Sequence, residues 1–297
     1  MKVRIGISLG PGGTPDGFAA SVDLLERVGV DSLWLPETVY GPSVDPFTGM
    51  AFALSRTTRL KAGSGISVLP GRHPVLVAKQ LASLAGLAPA RVLPVFGLRP
   101  ARDDERALFP VPAGQRAAVF DESLVLLRML LTAADVSFEG EYFQVRDARI
   151  GPLPGKPMDI WLGGSAPAGL RRVGRLADGW LGSFLTPPEA RAAVEVIQEA
   201  AAAAGREVEE DHFGLSLAVA FGAIPSSLAA AVHRRRPGAD PETLVAAGWD
   251  GARRMISQYV EAGLSKFVVR PVAANSGNGF EEFVAGFVRE LMPLQAG

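Results

Sequence analysis

Short apolar segments alternate with longer amphipathic segments along the chain. The short segments have the length of strands, and the longer ones repeat their apolar side chains every three or four positions, as helices do. Alternation of this kind is typical of β-α-β units, which build a parallel sheet. The pattern predicts strands at residues 3–9, 32–36, 60–66, 91–97, 158–163, 179–183, 214–221 and 266–270.

The number of predicted strands favours a closed (β/α)8 barrel, a TIM barrel, because open doubly wound sheets typically have about five to seven strands. No low-complexity linker interrupts the alternation, so we expect one domain over residues 1–297. Residues 137–157 are rich in turn residues and prolines. They are predicted to form an insertion over the barrel mouth or edge, between the fourth helix and the fifth strand.

Several helices have explicit start and stop signals. Thr14, Thr186 and Asp240 each stand directly before a proline, so that their side chains can cap a helix whose first turn holds that proline. Ser165, two residues before a proline, is interpreted as a cap as well. Gly29 is expected to end the first helix, because glycine readily adopts the left-handed conformation in which helices commonly terminate.

The longest uncharged stretch, residues 213–232, precedes three arginines and so has the composition of a membrane span with a basic flank. Its apolar side chains at 215, 217, 219 and 221 alternate with small residues, however, and a period of two belongs to a strand. We therefore expect no membrane segment. The first six residues include Lys2 and Arg4 and lack the apolar run of a signal peptide, which predicts a cytoplasmic location.

Charge and composition narrow the range of partners. Thirty Lys and Arg face 31 Asp and Glu, a formal net charge of −1, so no overall field attracts nucleic acid or an anionic membrane. The chain has no cysteine and three histidines, which excludes thiolate chemistry and argues against a zinc site. The expected partner is a small-molecule substrate, and no metal is expected.

The chemistry of a barrel enzyme lies at the carboxyl ends of its strands. After the fifth predicted strand, Gly163, Gly164 and Ser165 precede a proline that opens a helix. Glycines before a helix can hold a phosphate, because the first backbone N–H groups of a helix lack partners. The same glycines would suit a plain tight turn, and both interpretations stay open.

Other strand ends carry single candidates, each with a second interpretation. Glu37 follows the second strand, where it could transfer protons or be a solvated loop acid. His73 precedes a helix on the same side, as a base or as a cap. Ser64 and Gly65 would let a flat ring lie against the backbone, or simply allow tight packing. The run His-Arg-Arg-Arg at 233–236 is a solvated loop or a contact for an anionic substrate or cofactor tail.

Taken together, several segments resemble the luciferase-like monooxygenase superfamily, and within it the branch that uses the deazaflavin coenzyme F420. The matching segments are GVDSLWLPE at 29–37, RLKAGSG at 59–65, LPGRHP at 69–74, AKQLASL at 78–84, WLGG at 161–164, LRR at 170–172 and LADGWL at 176–181. They span nearly the whole chain. The resemblance implies a TIM-barrel oxidoreductase that binds F420, with FMN as the alternative cofactor, and a homodimer, as in many such enzymes.

The resemblance also implies where the cofactor lies. Its tricyclic ring would cover the ends of strands one to four, and its phosphate would sit on the loops after strands five and six. The residues at matching positions are Ser8 at the end of strand one, Glu37 as the acid of strand two, Ser64 and Gly65 as a bulge, often with a cis peptide, that backs the ring, Gly97 at the end of strand four, and Gly163, Gly164 and Ser165 as the phosphate loop.

The sequence departs from the family at three places. Thr38 replaces a histidine that commonly follows the strand-two acid, Pro100 stands where several F420-dependent relatives have a glutamate, and the Ser-x-Gly-Arg before strand four has become Ala-Pro-Ala-Arg at 88–91. The leading hypothesis is hydride transfer between F420 and a small organic substrate, with Glu37 and His73 handling protons. The alternatives are an FMNH2-dependent monooxygenase that uses O2, and a barrel that binds its cofactor without turnover.

Overall fold

The computed structural model describes residues 2–9, 13–272 and 279–295. All eight predicted strands are confirmed, two of them as interrupted pairs of shorter strands. The strands are β1 (Arg4–Ser8), β2 (Ser32–Leu35), β3 (Lys61–Ser64), β4 (Ser67–Val68), β5 (Val92–Leu93), β6 (Val95–Gly97), β7 (Val136–Glu139), β8 (Gln144–Ala148), β9 (Trp161–Gly163), β10 (Gly179–Ser183), β11 (Phe213–Ala220), β12 (Val245–Ala247) and β13 (Lys266–Val272).

Helices follow the strands along the chain, as β-α-β units require. They are α1 (Phe18–Val28), α2 (Pro46–Arg56), α3 (Pro74–Leu87), α4 (Arg116–Thr132), α5 (Pro167–Leu176), α6 (Pro187–Ala203), α7 (Ser226–Arg235), α8 (Gly248–Glu261) and α9 (Gly279–Glu290). Short 3-10 helices lie at Asp103–Leu108, Pro241–Thr243 and Met292–Gln295. No helix among the described residues is long and apolar enough to cross a bilayer.

The main sheet closes into a barrel. Its strand order is β4-β6-β9-β10-β11-β13-β1-β2-β3-β5, and the pairs along it are parallel. The two ends of this order are halves of neighbouring strands: β4 continues β3 after Gly65 and Ile66, and β5 runs into β6 through Pro94. Because β3 pairs with β5 and β4 pairs with β6, the ends meet, and the fold is the predicted (β/α)8 barrel.

The insertion before the fifth barrel strand has regular structure. Strands β7 and β8 form an antiparallel two-stranded sheet with a register shift between Val136 and Phe138. Glu122 of α4 accepts hydrogen bonds from the backbone N–H groups of Tyr142 and Phe143, at 2.8 and 2.7 Å, and so fixes the hairpin to the barrel. The sequence suggested an irregular excursion, because short edge strands without an apolar face give little periodic signal.

Three of the helix signals were correct, Thr186, Gly29 and Asp240, and two were not. Thr186 forms a capping box with Glu189, and Gly29 ends α1 in the left-handed conformation, with φ 81°. Thr14 was wrong as a cap, since α1 begins only at Phe18. Asp240 caps a 3-10 helix of three residues, and the residue that caps α5 is Ala166 rather than Ser165.

Most buried side chains form two layers, and a third cluster lies beside β11, α7 and β12: Ala218, Ala220, Leu228, Val232, Leu244 and Val245. The larger layer lies between the barrel and its helices, with Ile5, Leu33 and Phe267 at 0% exposure. The smaller layer fills the barrel interior, and its members are Trp34, Val95, Leu181 and Val268, against which Ile66, Leu93 and Trp161 pack. Full burial of such a side chain stabilises the fold by roughly 1.5–3 kcal/mol. The interior is therefore a packed core below the mouth rather than a channel.

Candidate functional site

The predicted site residues lie at one end of the barrel. We call this rim, where β1, β2, β4, β6, β9, β10, β11 and β13 end, the mouth. Because the barrel strands are parallel, their carboxyl ends meet there. The candidates that end or closely follow these strands are Ser8, Glu37, Ser64, Gly65, His73, Gly97, Gly163, Gly164 and Ser165.

Glu37 is one half of a buried ion pair. Arg72 donates from Nη2 to Oε1 at 2.8 Å and from Nη1 to Oε2 at 3.0 Å, and the N–H of Val68 donates to Oε2 at 2.8 Å. The side chain of Glu37 is 3% exposed. A two-point bond between guanidinium and carboxylate is strong and fixed in geometry. Glu37 is therefore not a solvated loop acid, and it ties the end of β2 to β4.

The segment around Arg72 is itself held rigidly. The guanidinium lies 5.0 Å from the ring centroid of Phe109 and 5.9 Å from that of Phe47, within the range of a cation–π contact. Gly71 has φ 97°, and a Cβ there would come within 2.7 Å of the Phe109 backbone. Only glycine fits this position, so the turn presents Arg72 to Glu37 in one geometry.

The bulge between β3 and β4 differs from its predicted form. The hydroxyl of Ser64 donates to the Val95 carbonyl at 3.0 Å and accepts from the Val95 N–H at 3.1 Å, so this buried side chain holds two strands together. The cis peptide lies between Gly65 and Ile66, one bond after the predicted pair. Gly65 and Ile66 are half-buried. These two residues, rather than Ser64, form the part of the bulge that meets solvent.

Ile66 forms the floor of the mouth. A Cβ on Gly97 would overlap the end of the Ile66 side chain, and a Cβ on Gly163 would lie 2.9 Å from its Cγ2. Ile66 also packs against the interior cluster that contains Trp34 and Leu181. The two glycines were predicted to leave room for a ring. They leave room for Ile66, which makes an apolar surface between the barrel core and the opening.

The loop after β9 ends at an open helix N-terminus. Gly164 is exposed, with φ 110°, and a Cβ there would meet nothing within 4 Å. Ala166 caps α5 without a side-chain hydrogen bond, so the N–H groups of Ala168 and Gly169 have no helical acceptor. The indole N–H of Trp180 donates to the Gly164 carbonyl at 2.7 Å and fixes the loop. This arrangement can bind an anion.

The loop after β10 is closed by a carboxylate of the chain itself. Glu189 accepts from the backbone N–H and the hydroxyl of Thr186 at 2.8 Å each, and it forms an ion pair with Arg236. The bond from Arg236 comes first among the causes that lower the pKa of Glu189 to about 2, burial opposes it, and the bonds from Thr186 add to the lowering. The resemblance put phosphate on both loops, and the N-terminus of α6 already carries an anion.

His73 caps α3. Its Nδ1 accepts from the N–H of Val75 at 3.3 Å, and its ring makes an edge contact with Phe143 of the insertion at 5.5 Å between centroids. The residue is exposed. A bond accepted at Nδ1 leaves the ring proton of the neutral imidazole on Nε2. The structure therefore supports the cap interpretation and leaves Nε2 facing away from the helix end.

Ser8 ends β1 inside the mouth. It is buried, and it stands opposite Trp34 in the register between β1 and β2. Among the residues that the structure describes, its hydroxyl has no hydrogen-bond partner. A buried hydroxyl of this kind can bond to a ligand in the mouth.

Sequence reasoning missed Ile66, the partner role of Arg72, and Arg270. Arg270 was part of a predicted strand, but its side chain was not considered. The sequence contained a pattern that could have identified it. Lys266, Val268 and Arg270 alternate along β13 with two apolar residues that face outward, which places Arg270 on the inner face of the barrel. Pairings such as that of Arg72 with Glu37 join residues 35 positions apart and have no local pattern.

One group of described residues could hold a metal ion. Ligand atoms of Glu209, Asp211 and His212 lie within 4.8 Å of one another. The group precedes β11, so it lies at the amino end of the barrel, away from the mouth. Nδ1 of His212 also lies 2.8 Å from the Asp178 carbonyl, which gives this histidine a structural contact.

Comparisons with known proteins agree with the fold. A family model described as luciferase-like monooxygenase matches residues 1–277. An uncharacterized protein of Mycobacterium bovis is 37% identical over 148 residues, which are 50% of this chain and 51% of that protein. An F420-dependent glucose-6-phosphate dehydrogenase of Beutenbergia cavernae is 30% identical over 177 residues, 56% of this chain and 52% of the relative. The chain thus spans about half the length of the curated relatives it matches.

Two solved structures are similar over almost their whole length. An F420-dependent secondary alcohol dehydrogenase, in complex with an F420-acetone adduct, gives a TM-score of 0.80 at 19% identity and covers 100% of both chains. The oxygenating constituent of 3,6-diketocamphane monooxygenase of Pseudomonas putida, in complex with FMN, gives 0.77 at 18% identity, with 99% of each chain covered. At these identities the likeness concerns the fold alone.

Proposed function

We propose, since this chain belongs to the luciferase-like monooxygenase family, that it transfers a hydride between coenzyme F420 and a small organic substrate bound at the mouth. The family makes it an oxidoreductase that uses a flavin or a deazaflavin. The choice of F420, the class of substrate and the residue roles below are the proposal.

The observation that carries the proposal is the pairing of an apolar floor with an open helix N-terminus at the same rim. Ile66 and Gly65 give a half-buried surface on which a flat ring can lie. Ala168 and Gly169 supply free backbone N–H groups on the neighbouring arc, next to Gly164, where a Cβ is absent and the space is open. These residues fit a cofactor that has a tricyclic ring and a phosphate.

In this proposal the residues of the mouth bind and orient. When bound, the reduced deazaflavin supplies a hydride from its ring carbon. Ile66 orients one face of the ring, and the packed interior beneath it excludes water from that side. The N-terminus of α5 binds the phosphate. Glu37 acts as a positioning residue, because both of its oxygens are bonded to Arg72 and so keep the rim in one geometry.

In this proposal His73 exchanges protons with the substrate. Glu37 was the other candidate, but three donors occupy its carboxylate. His73 is exposed, and its Nε2 can exchange a proton with a bound substrate when Nδ1 carries the other ring proton, so the cap bond from Val75 to Nδ1 must open for that step. Arg72, next to it in the chain, has its charge balanced by Glu37 and so adds no net charge at this part of the mouth.

F420 ranks above FMN because of sequence identity. Two curated relatives that are 30% identical over 177 residues and 28% identical over 174 residues are both named as F420-dependent enzymes. The barrel without turnover keeps support from Thr38, where the family commonly has a histidine, and from Pro100, where several F420-dependent relatives have a glutamate. The apolar floor suits either ring.

The test is a titration of the purified protein with oxidised F420 and with FMN, followed by fluorescence. We expect F420 to bind with a micromolar or tighter Kd and FMN at least about tenfold more weakly. Gly164→Ala should weaken F420 binding, since alanine is strained at φ 110° and would reshape the loop. Gly86→Ala is the matched control, because Gly86 lies exposed in α3 with nothing within 4 Å of the added Cβ.

The titration can also contradict the proposal. Tight binding of FMN with none of F420 would favour the monooxygenase. Binding of F420 without reduction of any substrate by the F420-loaded protein, over a panel of alcohols, aldehydes and sugar phosphates, would favour the non-catalytic barrel.

Three sequence predictions remain proposals. They are a single domain over residues 1–297, a cytoplasmic location and a homodimer. Sedimentation of the purified protein tests the last, and a monomer at micromolar concentration would contradict it.

A further inference from the structure

The arc of the mouth opposite Ile66 is formed by β10, β11 and β13. On β13, Phe267 and Val269 belong to the layer beneath the helices, whereas Val268 packs inside the barrel. Because side chains alternate along a strand, Arg270 faces the same side as Val268, two residues nearer the carboxyl end. A guanidinium therefore projects into the mouth, across the barrel from its apolar floor.

Small side chains surround this guanidinium. Ala218 of β11 is the register partner of Arg270, and Ser216 of β11 stands opposite Ser183 of β10. Arg270, Ser216 and Ser183 are each half-buried, although all three are on the inner face of the barrel. Inner-face residues that keep contact with solvent line a recess that opens at the mouth.

A second arginine reaches the same arc from α7. Arg235 places its guanidinium 5.4 Å from the ring centroid of Phe184, which directly follows β10. Phe184 has φ 55°, and Arg236 donates to its carbonyl at 2.6 Å. The charge of Arg236 is neutralised by Glu189, whereas Arg235 remains with the aromatic ring. Of these two arginines, Arg236 thus has a structural role and Arg235 faces the recess.

The recess has positive charge without a counter-charge. Among the residues that the structure describes, neither Arg270 nor Arg235 forms an ion pair with a carboxylate, and the rest of the chain contains no Asp or Glu. Phe184, which Arg235 contacts, packs in one hydrophobic cluster with Ala218, the register partner of Arg270, so the two guanidiniums reach the same arc. Burial and then the charge of Arg235 lower the pKa of Arg270, in agreement with this placement. Two guanidiniums at one recess, Arg270 half-buried and Arg235 exposed, repel each other, and an anion would remove this cost.

We propose that Arg270 and Arg235 form an anion-binding subsite that takes a carboxylate or phosphate group of the substrate, beside the ring of Phe184. The inference rests on the proposed function and deepens it, since it gives the substrate a negative charge at its non-reacting end. Its place across the barrel from Ile66 lets a substrate lie between the subsite and the proposed cofactor surface. The phosphate of the cofactor has the same chemistry, so the test must separate the two sources.

The experiment measures binding of inorganic phosphate by calorimetry, at ionic strength held constant with NaCl. We expect saturable binding to the wild-type protein, and a loss of affinity of about tenfold or more in Arg270→Gln and in Arg235→Gln, since each removes a charge-assisted hydrogen-bond donor. Arg234→Gln is the matched control: it removes the same charge from a neighbouring exposed position of α7 and should leave the Kd unchanged. No saturable binding, or an equal loss in Arg234→Gln, would overturn the proposal.

A second arm identifies the source of the anion. F420 and FMN are each titrated into the wild type and Arg270→Gln, with and without saturating phosphate. Unchanged cofactor Kd values in all four conditions support a substrate subsite. Displacement of the cofactor by phosphate, together with weak cofactor binding in Arg270→Gln, would assign these arginines to the cofactor and overturn the assignment to substrate.

The same measurements keep the two proposals apart. Phosphate binding through Arg270 without binding of either cofactor would contradict the proposed function, while the anion site itself would stand. Cofactor binding without phosphate binding would contradict only the subsite. We expect Arg270→Gln to be folded, with an unchanged or higher Tm, because it removes a charge that has no partner. If Arg270→Gln fails to fold, Arg235→Gln, at an exposed position, provides the same test.

Discussion

Arg72 and Glu37 form a buried two-point ion pair at the mouth, with N–O distances of 2.8 and 3.0 Å. The pair joins the residue after β2 to the turn after β4, and it therefore spans the part of the rim that holds Ile66. Removal of one partner from such a pair leaves the other charge buried and uncompensated, which is the costly case.

We predict that Arg72→Met lowers the free energy of unfolding by about 3–5 kcal/mol, and that Arg72→Met with Glu37→Gln recovers part of the loss, because the second change removes the stranded charge. Urea denaturation measures both. Arg59→Met is the control, since the side chain of Arg59 is 71% exposed and its guanidinium lies 3.7 Å from the Glu26 carboxylate, in a solvated pair. Equal losses in the two single variants would contradict a buried pair.

Glu37→Gln also separates positioning from proton transfer. A positioning role predicts weaker cofactor binding and a pH profile of unchanged shape. Loss of one limb of the pH profile, with cofactor affinity intact, would make Glu37 a catalytic acid or base after all.

Gly97→Ala should disturb the floor of the mouth. The added Cβ overlaps the Cδ1 atom of Ile66, so Ile66 must move, and we expect a loss of stability of about 1–3 kcal/mol together with weaker cofactor binding. Ile66→Val removes the overlapping atom, so the double variant should regain most of the lost stability and most of the lost cofactor affinity. The measurements are thermal unfolding and the fluorescence titration. A Gly97→Ala protein that binds cofactor like the wild type would show that Ile66 does not form the ring surface.

His73 is predicted to have two separable roles. His73→Ala removes the cap of α3 and should cost about 1 kcal/mol, whereas His73→Asn keeps a capping side chain and should restore the stability. If Nε2 exchanges a proton during turnover, kcat falls by about a hundredfold in both variants. Full activity in His73→Asn would show that His73 acts only as a helix cap.

Asp31 should make stability depend on pH in the acid range. It accepts from Lys266 and Lys61 at 3.0 and 3.1 Å, at the amino end of the barrel. Burial opposes ionisation, but the charges of Lys266 and Lys61 outweigh it and lower the pKa of Asp31 from 3.8 to about 2. Since the folded pKa lies below the unfolded one, this stabilisation, about 2 kcal/mol, is complete above roughly pH 5 and is lost as the pH falls through 2.

The measurement is the free energy of unfolding of the wild type and of Asp31→Asn between about pH 6 and pH 2. The difference between the two proteins should shrink as the pH falls. Asp23→Asn, which removes an exposed ion pair with Arg56, is the control and should have a smaller effect throughout. A difference that stays constant with pH would contradict the lowered pKa of Asp31.

The alternation of short apolar and long amphipathic segments was sufficient to predict the barrel and its eight strands, but not β12, a short strand that pairs with β11. A parallel strand buried on both faces needs a continuous apolar run, and the helix that follows needs one apolar stripe, so both leave periodic signals within about 20 residues. The positions of Glu37, Gly97 and Gly163 at the mouth followed, because strand ends of a parallel barrel meet at one rim.

Only the tertiary structure decided what those residues contact. That Glu37 bonds to Arg72, that Gly97 and Gly163 make room for Ile66, and that Arg270 faces the recess beside Arg235 all depend on elements far apart in the chain. The sequence by itself determined which residues reach the mouth, since periodicity is a local property of the chain. Their partners were decided by closure of the barrel, because it sets the distances between side chains that no local pattern relates.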